Sequence, residues 1–159
     1  MSLPLTPDLC VIGAGSAGLS VAAGAAQMGA SVVLIERHRM GGDCLNYGCV
    51  PSKSLIAAAA AAQAMRSSAG YGIAPVEPVI DFAAVRAHVR AVIAGIAPHD
   101  SVERFEGLGV TVLQTEARFT GRDEVLAGGR QVRARRFVVA TGSRPALPPV
   151  PGLADQPHL

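Results

Sequence analysis

Cys44 and Cys49 lie five residues apart inside the segment Gly41-Gly42-Asp43-Cys44-Leu45-Asn46-Tyr47-Gly48-Cys49-Val50-Pro51-Ser52-Lys53. Two thiols in a glycine-rich turn can alternate between dithiol and disulfide. Beside a bound nucleotide cofactor, such a pair can carry electrons between the cofactor and a disulfide or similar acceptor. In a regular helix, residues i and i+5 have Cα atoms about 8.7 Å apart. A disulfide needs roughly 4.4–6.8 Å. The backbone between the cysteines must therefore leave regular helix, and Asn46 and Gly48 are residue types that tolerate such a departure. Pro51 suits the first turn of a following helix, where its missing N–H is harmless. A thiol at that helix start meets the positive end of the dipole, which favours thiolate. The bland alternative is a structural disulfide or half a zinc site. Structural zinc takes four Cys or His ligands. Cys10, the one other cysteine, sits in an apolar run, and His38, though near, completes no ligand pattern, so no metal site is expected. His38, His88, His99 and His158 match no catalytic motif.

The elements that must position the thiols begin upstream. Gly13-Ala14-Gly15-Ser16-Ala17-Gly18 fits G-x-G-x-x-G, follows an apolar strand pattern at Asp8–Ile12 and opens a helix pattern from Ser16 to about Met28. That context separates a dinucleotide site from an ordinary glycine turn. Gly13 permits the tight turn, Gly15 admits a pyrophosphate to the backbone, and Gly18 lets helix and sheet pack. The anion would sit on the N–H groups of the helix start, at Ser16 and Ala17. Glu36 ends a second apolar strand, Ser31–Ile35, and lies 18 residues beyond Gly18. A carboxylate there accepts from ribose hydroxyls and disfavours a 2′-phosphate. Its neighbour Arg37 joins the candidate cofactor set, although a surface pairing of Glu36 with Arg37 or Arg39 is the competing role. The fingerprint alone fits NAD or FAD. The dithiol selects FAD, because a flavin exchanges electrons with a neighbouring thiolate whereas nicotinamide passes hydride.

The remaining pattern gives the fold class. The opening strand–helix–strand predicts a parallel pair with a right-handed crossover. The helix after the thiols should run to about Ser67, followed by a Gly- and Pro-rich loop over 70–78. Asp81 is a plausible N-cap for a long helix to about Glu106, with Phe82, Val85, Val89, Val92, Ile93 and Ile96 at helical spacing and Pro98 able to interrupt it. Val110–Gln114 reads as a strand. Glu116–Phe119, Glu124–Leu126 and Gln131–Arg133 read as an antiparallel meander with turns at Gly121–Asp123 and Gly128–Gly129. Arg136–Ala140 reads as a buried strand leading into Thr141-Gly142-Ser143, then a Pro-rich tail. The expected fold is α/β, a Rossmann-like FAD-binding domain with a parallel sheet plus a small antiparallel β-meander.

Composition narrows the setting. The chain has 159 residues, half of them hydrophobic and 16% charged, with a net charge of +2. That fits one packed domain and gives no strong attraction to nucleic acid or membrane. Arg133, Arg135 and Arg136 form the dense basic cluster, read as a solvated strand face. The Ala-rich stretch Leu55–Met65 is too short and too weakly apolar to span a bilayer. Three cysteines do not make a secreted disulfide scaffold, and a reactive dithiol fits a reducing cytoplasm.

Taken together, these residues resemble the N-terminal part of the pyridine nucleotide-disulfide oxidoreductases with a Cys-x4-Cys centre, from about Asp8 to Gly152. Gly13–Gly18 with Glu36, the Gly41–Lys53 segment and Ala140-Thr141-Gly142-Ser143 carry the resemblance. The Leu45-Asn46 and Val50-Pro51-Ser52-Lys53 residues place it nearer the lipoamide dehydrogenase and mercuric reductase branch than glutathione reductase. The resemblance implies that Cys44 is the interchange thiol and Cys49 the charge-transfer thiolate against the flavin. It implies that Lys53 approaches the flavin and that Gly42 and Asp43 touch the cofactor near its pyrophosphate. Ala117 would read adenine through its backbone, and Thr141 and Gly142 would contact FAD. Asp43 stands where many members have Thr, and Tyr47 where a smaller apolar residue is common.

The resemblance also implies a longer enzyme. Residues 1–152 would be the first part of the FAD domain and 153–159 a linker toward an NAD(P)-binding domain. NAD(P)H would be the donor, a small-molecule or protein-bound disulfide the acceptor, and a homodimer the working form. Two other function classes compete: an NAD-dependent Rossmann dehydrogenase with incidental cysteines, and a non-catalytic thiol redox or metal-binding module.

Overall fold

The computed structural model describes residues 3–143 and 146–155. The last residues of the expected linker, 156–159, lie outside them, as do Arg144 and Pro145 at the start of the Pro-rich tail. Residues 146–150 are irregular and 151–155 form turns, with neither helix nor strand.

A four-stranded parallel sheet organises the molecule, in the order β3 (Thr111–Gln114), β2 (Val32–Glu36), β1 (Leu9–Ile12), β7 (Arg136–Val139). β1 pairs in parallel with β2, with Cys10 opposite Val33 and Ile12 opposite Ile35. Its other edge pairs in parallel with β7, Cys10 facing Phe137. α1 (Ser16–Gln27) makes the β1–β2 crossover. A separate antiparallel sheet, β4 (Ala117–Phe119), β5 (Glu124–Ala127) and β6 (Arg130–Arg133), is the expected meander. Leu5 extends it by bridging to Val132.

Strand alternation distributes the core between the two faces of the parallel sheet. Val11, Val32 and Leu34 meet Leu19 and Ala22 of α1 and Phe105 of α5 (Val102–Gly107). Cys10, Val33 and Ile35 meet Val125, Ala127 and Val132 of the meander. The fold is thus three layers: helices, parallel sheet, antiparallel sheet. Buried on both faces, β2 reads as a continuous apolar run, with every residue buried through Glu36.

Two expectations change. The long helix from Asp81 to Glu106 is two helices. Asp81 does cap the first, accepting from the N–H groups of Ala83 at 2.9 Å and Ala84 at 3.1 Å. However, α4 (Phe82–Ile96) gives way to a 3-10 turn over Ala97–Asp100, and α5 restarts on Ser101, whose Oγ accepts from Arg104 N–H at 3.2 Å. Pro98 lacks the N–H that would bond four residues back, and its ring crowds that carbonyl. The second change is at β7, expected to be buried. It pairs with β1 alone among the described strands, and Val139 is 64% exposed. The helices flanking the thiol loop are α2 (Gly42–Asn46) and α3 (Cys49–Arg66), and α3 packs against α4.

Candidate functional site

The site is built where the starts of α1 and α2 meet. Gly13 has φ +106°, a left-handed value that glycine adopts without strain. A side chain there would run into the Ala140 carbonyl, and one at Gly18 would run into the Gly13 carbonyl. The turn is therefore wedged between β1, β7 and α1. Gly42, at φ +58°, approaches Gly15 so closely that a Cβ on it would stand 2.6 Å from the Gly15 Cα. Gly41 N–H also donates to the Ala14 carbonyl at 2.9 Å. The thiol loop is thus docked directly on the nucleotide turn.

Between the two cysteines the chain leaves regular helix, as bridging geometry requires. The break falls at Tyr47 and Gly48, whose N–H groups both donate to the Asp43 carbonyl, at 2.8 and 2.7 Å. Asn46 does not supply the departure. It remains helical, and its side-chain amide donates to the carbonyls of Met40 at 3.1 Å and Gly42 at 2.8 Å. Pro51 falls in the first turn of α3, which Cys49 begins.

Cys44 and Cys49 are free thiols, near enough for each to shift the acidity of the other. The contact with Cys49 lowers the Cys44 thiol below its ordinary value. The Ser16 hydroxyl adds to this lowering, and the Lys53 charge contributes further. The same contact, and the charge on Cys44, raise Cys49, against the expectation that the dipole at the start of α3 would favour a thiolate there. The two shifts run in opposite directions and favour thiolate at Cys44 over Cys49. Cys44 is the sulfur to which the resemblance assigns attack on the acceptor. Cys10 is a different case: buried in β1, its thiol is pushed up to about 11 by desolvation.

Glu36 points to the α1 side of the sheet. Its carboxylate accepts from Ala14 N–H and from His38 N–H, each at 2.7 Å. Among the described residues it forms no ion pair with Arg37 or Arg39, so the surface-pairing role is not the one it plays. A carboxylate has about four lone-pair sites, so capacity remains for a ligand. Glu36 and Arg37 line a cavity of about 400 Å³ together with Gly13, Thr115, Glu116, Ala117 and Thr141. That volume falls within the usual range for a small-molecule site. Gly142, at φ +68°, follows Thr141 outside this lining. The thiols do not line it either. Cavity, glycine turn and thiol pair instead succeed one another, an arrangement suited to an extended ligand. Gly15 caps α1 and, having no side chain, leaves the first-turn N–H groups to an anion. Ser16 and Ala17 are exposed there, as are Asp43 and Lys53.

Sequence reading missed two contacts at the thiols. Ser16 beside Cys44 joins residues from different elements, and no local pattern signals it. The donor role of Asn46 had a signal, since Asn side chains readily bond nearby backbone carbonyls.

A sequence model of the family described as pyridine nucleotide-disulphide oxidoreductase matches residues 7–159. The chain belongs to this family. Its relatives include mercuric reductases of Acidithiobacillus ferrooxidans, at 40% identity over 94% of this chain and 29% of that protein, and of Shigella flexneri, at 38% identity over 94% and 28%. A mercuric reductase of Lysinibacillus sphaericus is 31% identical over 96% of this chain and 28% of its own length. The chain thus spans less than a third of these relatives. Among solved structures, the Cu(II) complex of the HOCl-induced flavoprotein disulfide reductase RclA from Escherichia coli superposes with a TM-score of 0.73 at 23% identity, over 94% of this chain and 31% of that one. This likeness establishes the fold: an α/β partial domain with a parallel sheet and a separate antiparallel one.

Proposed function

We propose that this chain is the FAD-binding, dithiol-bearing part of a flavin-dependent disulfide oxidoreductase that takes electrons from NAD(P)H and works as a homodimer. The observation that carries the reading is the docking of the Cys44–Cys49 pair on the glycine turn, through Gly15 and Gly42. The residues present fit FAD. The cavity at Glu36, Ala117 and Thr141 suits the adenosine end, with Glu36 accepting from ribose and Arg37 beside it. The start of α1 suits the pyrophosphate. Bound FAD supplies a two-electron carrier beside the thiols.

The protein's own chemistry then follows. Cys44, the sulfur favoured as thiolate, attacks one sulfur of an acceptor disulfide and expels the other as a thiolate. Cys49 loses its proton and attacks Cys44 in the mixed disulfide. This closes the Cys44–Cys49 bridge and releases the second acceptor thiol. Two electrons leave the pair, and the acceptor takes them up with two protons. Lys53 favours the thiolate forms through its charge.

Two measurements on the full-length protein test the reading. A flavin absorbance spectrum distinguishes it from a nicotinamide-only dehydrogenase. Cys44→Ser should abolish NAD(P)H-dependent disulfide reduction; retained turnover would overturn the assigned role. The mercuric reductase relatives favour a second acceptor, mercuric ion, which soft thiolates bind well. NAD(P)H oxidation that depends on mercuric salt but not on disulfides would select it.

A further inference from the structure

We infer that Gly128 is a positioning residue for the nucleotide cavity: the β5–β6 turn braces Thr115 and so sets where the Thr115–Ala117 wall stands. The inference rests on the reading, given above, of that cavity as the adenosine end of an FAD site. Thr115, Glu116 and Ala117 form the corner between β3 and β4, and all three line the cavity. Gly128 and Gly129 make the two-residue turn between β5 and β6 and lie outside the lining. The turn is nevertheless seated on the corner. A Cβ built on Gly128 would stand 3.0 Å from Thr115 Oγ1 and 3.2 Å from both its Cβ and its Cγ2. The neighbouring register pair, Ala117 opposite Ala127, ties corner and turn together.

This contact has no slack. Non-bonded carbons pack best at about 3.5–4.0 Å, so a side chain at 128 forces a displacement. Rotating the Thr115 side chain does not relieve it, because the Thr115 Cβ is fixed to the main chain. The turn is held in its turn. Ala127, next to Gly128, is 1% exposed, packs in the cluster of Val125 and Val132, and pairs with Arg130 across the hairpin. The main chain at 115–117 must therefore move, and that is the stretch the nucleotide would meet. Gly129 supplies the contrast. Its φ of +80° is left-handed like the +54° of Gly128, so alanine strains the backbone at either position. Yet a Cβ at 129 would have nothing within 4 Å.

The test titrates FAD, and separately ADP, into the cofactor-free full-length protein, with affinities read by calorimetry. ADP carries the adenosine end alone. Gly128→Ala should weaken both ligands by the same factor, about threefold or more, the worth of one hydrogen bond to a displaced backbone. Gly129→Ala should bind both as the wild type does, although urea unfolding shows it strained as well. Thr115→Val, which keeps the shape of the brace, should bind more tightly than Thr115→Ala, which removes it. If Gly128→Ala does not fold, this Thr115 pair decides. Equal affinities in Gly128→Ala and Gly129→Ala overturn the inference, because backbone strain would then account for any loss. A loss for FAD without one for ADP also overturns it, as does Thr115→Val binding no better than Thr115→Ala. A wild-type protein that binds neither FAD nor ADP overturns the cofactor reading, and this inference with it.

Discussion

Replacing Glu36 with Gln probes the junction between sheet and nucleotide turn. The carboxylate holds Ala14 N–H, in the buried turn, and His38 N–H, each at 2.7 Å. Gln keeps the shape but turns one acceptor into a donor, so one of the two N–H groups must face an NH2 group. The amide oxygen should stay on Ala14, because water reaches the N–H of His38 more easily. Bonds to a charged acceptor contribute about 1.5–3 kcal/mol and neutral ones about 0.5–1.5. The retained bond therefore weakens by about 1 kcal/mol and the other is lost, for a total of about 2–4 kcal/mol. For a protein of 159 residues, each kcal/mol lowers Tm by about 2–4 °C, so a fall of roughly 6–12 °C is expected at the centre of that range. Urea titrations and thermal melts followed by circular dichroism measure both quantities. Glu36→Leu, which leaves the buried Ala14 N–H with no acceptor, should cost at least as much. A Glu36→Gln protein within about 0.5 kcal/mol of wild type at unchanged m value would refute the argument.

Other perturbations test separate parts of the structure. With iodoacetamide at neutral pH, Cys44 should alkylate first, Cys49 more slowly and buried Cys10 not at all in the folded state, as peptide mass spectra would show. Cys44 has a lowered pKa, so its reactivity should persist below the ordinary thiol range and fade only as pH falls through the lowered value. Cys49→Ala removes the main cause of that lowering and should move the alkylation profile of Cys44 to higher pH; an unmoved profile would refute the assignment. Gly18→Ala puts a methyl group into the Gly13 carbonyl and should cost about 3 kcal/mol in urea unfolding. Asp81→Ala removes the α4 cap and should cost about 1 kcal/mol, with faster amide exchange at Ala83 and Ala84 as its local sign.

Much of the layered fold was legible because β1, the glycine turn, α1 and β2 each carry an unmistakable local signal. The meander was legible through its glycine turns. Helix α4 was legible only in part: its apolar spacing continues toward Phe105, and periodicity does not reveal where a proline will break the run. The exposure of β7 was hidden because strand composition does not distinguish a central position from an edge one. At the site, the need for a backbone break between the cysteines followed from chain geometry. Its location at Tyr47 and Gly48 rather than Asn46 depends on hydrogen bonds to Asp43 that composition cannot show. Glu36 was placed correctly at the end of β2. Its partner Ala14 lies 22 residues away, and a side-chain bond to backbone over that separation leaves no periodic trace.

The back-to-back glycines 15 and 42 also set a limit on divergence. Tyr47 faces solvent at 62% exposure and can be exchanged for many residues without disturbing its neighbours. Position 42 has no such freedom, because even alanine would push apart two main chains from different segments. A saturation library selected for folded protein should therefore show broad substitution at 47 and near-absolute retention of glycine at 42. The solvent-facing surface can diversify while the seam beneath it stays fixed.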